Sequence, residues 1–166
     1  MKTFRTIISI LLLAALAVGV ITLMKKSQKT QEEGFIGKSE IVVENGQMTP
    51  EVLLAFGRLS DPQVSPDGKH ILYGVSYTSV EDNRSVRNLY ICNIDGTENQ
   101  LLTRSGKSLS NARWSSDGKH IAYIKGGQIW TVKIGQKKGG WTLSGERQVS
   151  NVQAGVGEFK LSPDQK

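Results

Sequence analysis

Ser65-Pro66-Asp67-Gly68-Lys69-His70-Ile71 returns fifty positions later as Ser115-Ser116-Asp117-Gly118-Lys119-His120-Ile121. The two copies share six of their seven residues, and the motif begins again at Ser162-Pro163-Asp164-Gln165-Lys166. Repeats spaced about 40–50 residues apart are typical of propellers built from four-stranded blades. The sequence therefore predicts an all-β fold, a partial β-propeller with two four-stranded blades and the start of a third, after an N-terminal hydrophobic helix. Because propellers close with about 4–8 blades, we expect the chain to be the N-terminal piece of a longer protein.

The first repeat predicts blade one at residues 61–103. An Asp-Gly pair between apolar runs indicates a hairpin, because Gly adopts positive φ readily and Asp tolerates it. Such pairs stand at Asp67-Gly68 and Asp95-Gly96, and the polar stretch 78–85 between them predicts an exposed loop. The second strand alternates, which should place Ile71, Tyr73 and Val75 on one face of the sheet.

The second repeat predicts blade two at residues 110–150. Gly126-Gly127 indicates a tight turn, and the Gly- and Lys-rich stretch 135–145 predicts a longer loop. We expect Ile129-Trp130 to match Leu89-Tyr90 of blade one, and strand 146–150 to match 100–103. Residues 156–161 should then form the first strand of blade three, which is predicted at 156–166.

The segment before the repeats predicts a short helix at 48–60 after a linker at 27–47. Thr49-Pro50-Glu51 has the residue types of a helix N-cap, first position and first turn. Val52, Leu53, Phe56 and Leu59 should form one apolar stripe against blade one, and Gly57 should end the helix.

Residues 1–26 predict a signal peptide or a membrane anchor. Lys2 and Arg5 precede an apolar run at 7–24, which is the pattern of a secretory signal. Ala15-Leu16-Ala17 offers a cleavage site, but the run is also long enough to span a membrane. Both alternatives predict export, to the periplasm or to a membrane-anchored position facing it, with membrane contact through 7–24 if the run is not cleaved.

The net charge of +6 does not indicate a nucleic-acid partner. Four of the basic residues lie in 1–26, where there is no acid, so the remainder carries only 17 bases against 15 acids. The single cysteine, Cys92, excludes an internal disulfide and a Cys-rich zinc site.

Two parts of the sequence resemble a known family. The run Trp114 to Tyr123, followed by Ile129-Trp130, resembles the WD-like propeller repeat of TolB and of prolyl oligopeptidase-family serine peptidases. The lead-in Met48 to Glu51, followed by Leu59 to Gly68, is similar to the mature start of exported bacterial dipeptidyl peptidases and acylaminoacyl peptidases of that family. The resemblance covers about residues 48–166.

The family's catalytic residues do not map onto this chain. The resemblance implies that they belong to a C-terminal α/β-hydrolase domain, whose nucleophile lies in Gly-x-Ser-x-Gly. Ser76 follows Gly74 but has Thr78 where the second Gly should stand, and Ser144 has Thr142 where the first should stand. We predict no catalytic, cofactor-binding or metal-binding residue in these 166 residues.

Polar residues of the repeat itself have a structural explanation. His70 and His120 share one repeat position, where we expect solvent-facing side chains that lie side by side and do not converge on a pocket. Turn formation accounts for Asp67 and Asp117.

Aromatic residues on the strands are predicted to pack between blades. They are Trp114, Trp130, Tyr73, Tyr90 and Tyr123. Cys92 should be a small buried side chain. Glu81 and Asp82, in the predicted loop of blade one, are the candidates for meeting a substrate's amino terminus, as propeller loops do in dipeptidyl peptidases.

Two functions follow from these observations. The first is the propeller of an exported serine peptidase, which gates access of peptide substrates to a C-terminal α/β-hydrolase domain outside this sequence. The alternative is a TolB-like periplasmic propeller that binds proteins. A Gly-x-Ser-x-Gly motif in a longer sequence would distinguish them.

Overall fold

The computed structural model describes residues 33–162 and Asp164, and the predicted N-terminal hydrophobic helix lies outside these residues. Eight strands form two four-stranded antiparallel sheets, in which each strand pairs with the next along the chain. The first sheet consists of β1 Arg58–Val64, β2 His70–Ser79, β3 Arg84–Asn93 and β4 Gln100–Leu101. The second consists of β5 Leu109–Trp114, β6 His120–Lys125, β7 Gln128–Lys137 and β8 Gly140–Gln148. The all-β prediction of two four-stranded blades is confirmed, and the open sheets are consistent with a partial propeller.

The repeated motif forms the same turn in both sheets. In the first, the Ser65 amide donates to His70 O at 2.9 Å and the His70 amide donates to Ser65 Oγ at 3.0 Å. In the second, the Ser115 and His120 pair makes the same two bonds, each at 2.9 Å. The predicted equivalence of the two hairpins is therefore confirmed at the level of individual atoms.

In this turn the aspartate accepts hydrogen bonds through its side chain, and the glycine supplies the positive φ that the backbone needs. Asp67 Oδ1 accepts from Ser65 Oγ at 2.5 Å and from the Lys69 amide at 3.1 Å. Gly68 alone adopts a positive φ there, at 71°. A four-residue loop closed by side chains thus separates Ser65 from His70.

Two predicted loops are wrong, because strands continue through them. Within 78–85, Thr78 pairs with Ser85 and Ser79 with Arg84, which leaves only 80–83 as the connection. Within 135–145, β7 and β8 pair until Lys137 faces Gly140. Backbone pairing does not depend on apolar side chains, so a polar stretch can continue both strands to the end of a long hairpin.

The fourth strands of the two sheets match as predicted, although β4 is short. The Leu102 amide donates to Leu89 O at 2.8 Å, and the Val149 amide donates to Ile129 O at 2.9 Å. Leu89 and Ile129 are therefore equivalent positions.

The start of blade three, predicted at 156–166, stays a prediction. Residues 156–161 belong to no sheet. The segment nevertheless lies beside the second sheet, because the Val156 amide donates to Gly127 O at 2.8 Å and Asn111 Nδ2 donates to Phe159 O at 3.2 Å. The backbone groups of a strand pair with a neighbouring strand, and the described residues provide no such strand for 156–161.

The main core lies at the junction of the two sheets, where β5 contacts β1, β2 and β3. We call the face of the first sheet that meets this core its trailing face, and the facing side of the second sheet its leading face. Buried members of the trailing face are Leu72, Leu89 and Ile91, and those of the leading face include Leu109, Ile121 and Tyr123. Tyr73, Val75 and Ile71 group together on the opposite, leading face of the first sheet, as the alternation predicts.

A 3-10 turn at Glu44–Gly46 and a short α-helix, α1 Pro50–Ala55, precede the sheets. The predicted cap is confirmed, since Thr49 Oγ1 accepts from the Val52 amide at 3.3 Å and Pro50 stands at the start. The predicted apolar stripe is wrong: Val52 is buried, but Leu53, Phe56 and Leu59 are 54%, 54% and 62% exposed. Leu59 already belongs to β1, and the helix ends one residue before Phe56, so the four residues do not share one helical face.

Candidate functional site

A cleft of about 300 Å³ lies between the two repeated turns. Its lining consists of Ser65, Pro66, Asp67, His70, Trp114, Asp117, Gly118 and Trp141. Stacking the sheets places the turn of one against the turn of the next. Of the two histidines, His70 lines the cleft and His120 does not, so they do not converge on it, as expected.

The two cleft aspartates are held in their ionised form. A hydrogen bond from Ser65, supported by the Lys69 amide, lowers the pKa of Asp67 below its usual 3.8. Ser115 and the Lys119 amide lower the pKa of Asp117 in the same way. Each carboxylate is solvent-exposed, and its Oδ1 atom is engaged in its own turn, so turn formation accounts for the bonds observed.

Trp141 is the cleft residue that sequence reasoning missed. Its ring meets that of His70 edge to face, with centroids 4.7 Å apart, and only 16% of the His70 side chain is exposed. The expectation that His70 faces solvent is therefore wrong. A tryptophan within the Gly- and Lys-rich stretch was the available signal that this stretch packs against something.

An ion pair joins the sheets next to the cleft. Arg113 Nη1 on β5 lies 2.9 Å from both carboxylate oxygens of Asp61 on β1. Asp61 stands in a β-bulge with φ at 52°, and the side chain of Gln63 also donates to it at 3.1 Å. Trp114 Nε1 donates to Gln63 O at 3.4 Å, so two neighbouring residues of β5 bind β1.

A side-chain amide makes the second link between the sheets. Gln100 Nε2 donates to Trp141 O, and Gln100 Oε1 accepts from the Trp141 amide, both at 2.8 Å. The side chain of Gln100 thus pairs with the outer strand as a backbone segment would. Together with the ion pair, this clamp fixes the walls of the cleft.

The candidate serines lie in strands and outside the cleft. Ser76 is on β2, opposite Arg58 and Arg87, and Ser144 is on β8, opposite Lys133. Within residues 33–162 and 164, no group of three or more His, Cys, Asp or Glu side chains could hold a metal ion.

Glu81 and Asp82 lie at the tip of the β2–β3 hairpin and do not meet the cleft between the turns. The Asp82 amide donates to Ser79 Oγ at 3.0 Å. Glu81 contributes to a separate recess of about 280 Å³ against α1, together with Glu51 and Ile36.

The aromatic residues divide between two faces. Tyr123 is buried in the junction core, and Trp114 and Trp130 pack against it, as predicted. Tyr73 and Tyr90 instead stack on the leading face of the first sheet, with centroids 5.8 Å apart. These two residues therefore do not pack between the two described sheets.

Burial changes the acidity of several of these side chains. It raises the pKa of Tyr90 to about 12 and is the main reason that the pKa of Tyr123 is also raised. The Tyr123 hydroxyl in addition donates to Glu146. Cys92 is buried as predicted, and burial raises the pKa of its thiol.

The described residues thus define an all-β protein in which consecutive four-stranded meanders stack face to face. A cleft lined partly by polar residues lies between their repeated turns. No family model matches the chain. The chain is 31% identical over 165 residues to dipeptidyl-peptidase 5 of Porphyromonas endodontalis, which is 98% of this chain and 22% of that protein. It is 35% identical over 77 residues to dipeptidyl-peptidase 5 of Porphyromonas gingivalis, covering 46% of this chain and 11% of that one. The chain is therefore homologous to one part of larger peptidases.

A solved structure gives a further comparison. The acylaminoacyl peptidase of Pyrococcus horikoshii superposes with a TM-score of 0.46 at 22% identity, covering 61% of this chain and 15% of that protein. The chain spans about a fifth or less of the length of the proteins it matches. Within the described residues, no helix has the length and apolar character needed to cross a membrane.

Proposed function

We propose that this chain is the N-terminal part of an exported serine peptidase of the prolyl oligopeptidase family. It contributes the first blades of a propeller that gates the entry of peptide substrates to an α/β-hydrolase domain outside these 166 residues. The similarity to dipeptidyl-peptidase 5 over 98% of the chain is the observation that carries this proposal.

The role assigned to the chain is positioning and access, without bond cleavage. Gating requires a rigid wall, and the sheets supply one through the Asp61–Arg113 ion pair and the Gln100–Trp141 clamp. The covalent step belongs to a nucleophile elbow, for which neither Ser76 nor Ser144 has the flanking glycines.

Export is part of the same proposal. It rests on the apolar run at 7–24 after Lys2 and Arg5. A reporter that is active only outside the cytoplasm, fused after residue 48, should be active in cells. Activity of a cytoplasm-dependent reporter alone at the same fusion point would contradict export.

The decisive experiment uses the coding sequence beyond residue 166. A Gly-x-Ser-x-Gly motif with later Asp and His is expected, and the longer protein should release chromophore from dipeptidyl or acylaminoacyl anilides. Replacement of the motif serine by alanine should abolish release, and the 166-residue chain should not react with a serine-directed phosphonate. Sheet repeats that continue to the end without such a motif would favour the TolB-like binding module and overturn the peptidase proposal.

A further inference from the structure

The cleft between the repeated turns has walls that turn formation does not require. Val64 holds the position of Trp114 in the first repeat, yet both turns close with the same bonds. Trp141 lies where β7 and β8 extend beyond the length of β3 and β4. Two tryptophans therefore line the cleft in addition to what the repeat itself supplies.

Contacts between the two sheets hold these walls in place. Gln100 binds the backbone of Trp141, and the ring of Trp141 lies edge to face against His70. A Cβ placed on Gly118 would lie 3.8 Å from Pro66 Cδ, so the second turn packs directly beside the first. The lining comes from both sheets, and these contacts fix the shape of the cleft without a ligand.

The polar side of the cleft carries two carboxylates with an unused oxygen each. Oδ1 of Asp67 and Oδ1 of Asp117 accept the bonds of their own turns, whereas neither Oδ2 accepts a hydrogen bond among the described residues. Neither carboxylate forms an ion pair with a described lysine or arginine, and His70 Nδ1 is 3.7 Å from Asp67 Oδ1. Carboxylates beside indole rings attract an organic cation, because both the negative charge and the electron-rich rings favour it.

We propose that this cleft binds the guanidinium group of an arginine side chain in a peptide or protein ligand. A planar guanidinium donates parallel hydrogen bonds to carboxylate oxygens and stacks on aromatic rings, whereas an ammonium group is a compact point charge. In the cleft the Oδ2 atoms of Asp67 and Asp117 accept its N–H groups, and Trp114 and Trp141 flank its plane. This inference concerns the cleft alone and does not depend on the peptidase proposal.

The test follows the indole N–H signals of the full chain, in a non-ionic detergent, by nuclear magnetic resonance. Titration with N-acetyl-arginine amide should shift the signals of Trp114 and Trp141. Trp130 is the internal control, because its indole N–H donates to Lys125 O at the far end of β6 from the turns. N-acetyl-citrulline amide has nearly the same shape without the charge and should bind about tenfold more weakly.

Substitution of the aspartates identifies the site. Asp67→Asn combined with Asp117→Asn should weaken binding of the arginine probe about tenfold, because asparagine keeps the accepting Oδ1 of each turn but removes the charge. Asp95→Asn is the matched control, since Asp95 makes the same kind of turn with the Thr97 amide outside the cleft lining and should leave binding unchanged. An unshifted Trp130 signal in each variant shows that the second sheet is still folded.

Four outcomes would overturn the proposal. They are equal affinity for the arginine and citrulline probes, equal weakening by the double variant and by Asp95→Asn, the absence of shifts at Trp114 and Trp141, and displacement of the arginine probe by an equal concentration of calcium ions. The first two would mean that charge in the cleft is not recognised. The last would mean that the carboxylates bind a metal ion in preference to an organic cation.

Discussion

Arg113 on β5 and Asp61 in the bulge of β1 connect the two sheets through one guanidinium nitrogen, which lies 2.9 Å from each carboxylate oxygen. Both side chains are about three-quarters covered, at 25% and 27% exposure, so solvent screens the pair less than at an open surface. The same nitrogen donates to Ala112 O at 2.7 Å, which ties the arginine to its own strand.

A double-mutant cycle should detect this pair. Arg113→Met and Asp61→Asn, alone and together, are expected to show a coupling energy of about 1 kcal/mol in urea unfolding. Arg147→Met is the control, because Arg147 is exposed, and its effect should stay within about 0.5 kcal/mol. Fully additive effects of the two mutations would show that the ion pair contributes nothing to stability.

Removing the Gln100 amide should loosen the outer strand locally. Gln100→Ala leaves the Trp141 amide and carbonyl without their partner, so we expect a loss of about 1 kcal/mol in the free energy of unfolding. Hydrogen exchange at the Trp141 amide should accelerate at least tenfold. Gln153→Ala, at an exposed glutamine, should change neither quantity. Unchanged protection of Trp141 in the Gln100 variant would contradict the clamp.

The junction core should depend on Leu72 far more than the surface depends on Leu53. Leu72 is 0% exposed and Leu53 is 54% exposed. We expect Leu72→Ala to lower the free energy of unfolding by about 2–5 kcal/mol, since it leaves a cavity between the sheets. Leu53→Ala should cost no more than about 0.5 kcal/mol. Equal losses, measured by urea unfolding followed by tryptophan fluorescence, would mean that the assigned core is wrong.

Acid should weaken the two repeated turns. Because the pKa values of Asp67 and Asp117 are lowered in the folded chain, their charged forms stabilise it above the usual value of 3.8. That stabilisation is lost as the pH falls from 3.8 through the lowered values. The variant Asp67→Asn/Asp117→Asn should therefore show a flatter dependence of stability on pH between about 5 and 2. Parallel profiles for the variant and the unaltered chain would show that these two carboxylates do not cause the loss of stability at low pH.

Glu81→Gln should show whether the recess beside α1 contributes to the pH dependence of stability, as the cleft between the turns is expected to do. Glu81 lines the recess beside α1 and not the cleft between the turns, so Glu81→Gln should leave the acid profile of the unaltered chain in place. Urea midpoints across the same pH range provide the comparison with the aspartate variant. A profile as flat as that of the aspartate variant would show that the acid sensitivity arises at the hairpin tip.

The sequence predicted correctly those features that depend on neighbouring residues or on the internal repeat. The Ser65 and Ser115 turns, the Thr49 cap and the match of Ile129 to Leu89 all follow from residue type and spacing. It was insufficient where a residue's surroundings come from a distant part of the chain. Trp141 packs on His70, seventy-one positions earlier, and nothing in the Gly- and Lys-rich composition around it indicates that contact.

The exposure of apolar residues was also not predicted, because it depends on which distant part of the chain packs against them. Leu59 and Leu109 have the same side chain at the same repeat position, yet among the described residues only Leu109 has a sheet packed against it. The bulges at Asp61 and Asn111 were likewise not predicted, because a positive φ at Asp or Asn has no distinct sequence signal.

The contrast between turn and bulge bears on how such a chain grew by duplication. The bonds that close the turn between Ser65 and His70, and between Ser115 and His120, join residues at most five positions apart. Each new copy therefore carries its own hairpin intact, and selection can leave the motif unchanged. The bulge residue bonds to the part of the chain that follows its sheet, and there the copies have diverged: Asp61 binds Arg113 of the second sheet, and Asn111 binds the Phe159 carbonyl. Divergence at that single position gives each interface its own partner preference. Sheets that fold by the same local rule can thereby assemble in one order, and a misordered neighbour would meet a carboxylate or an amide without its complement.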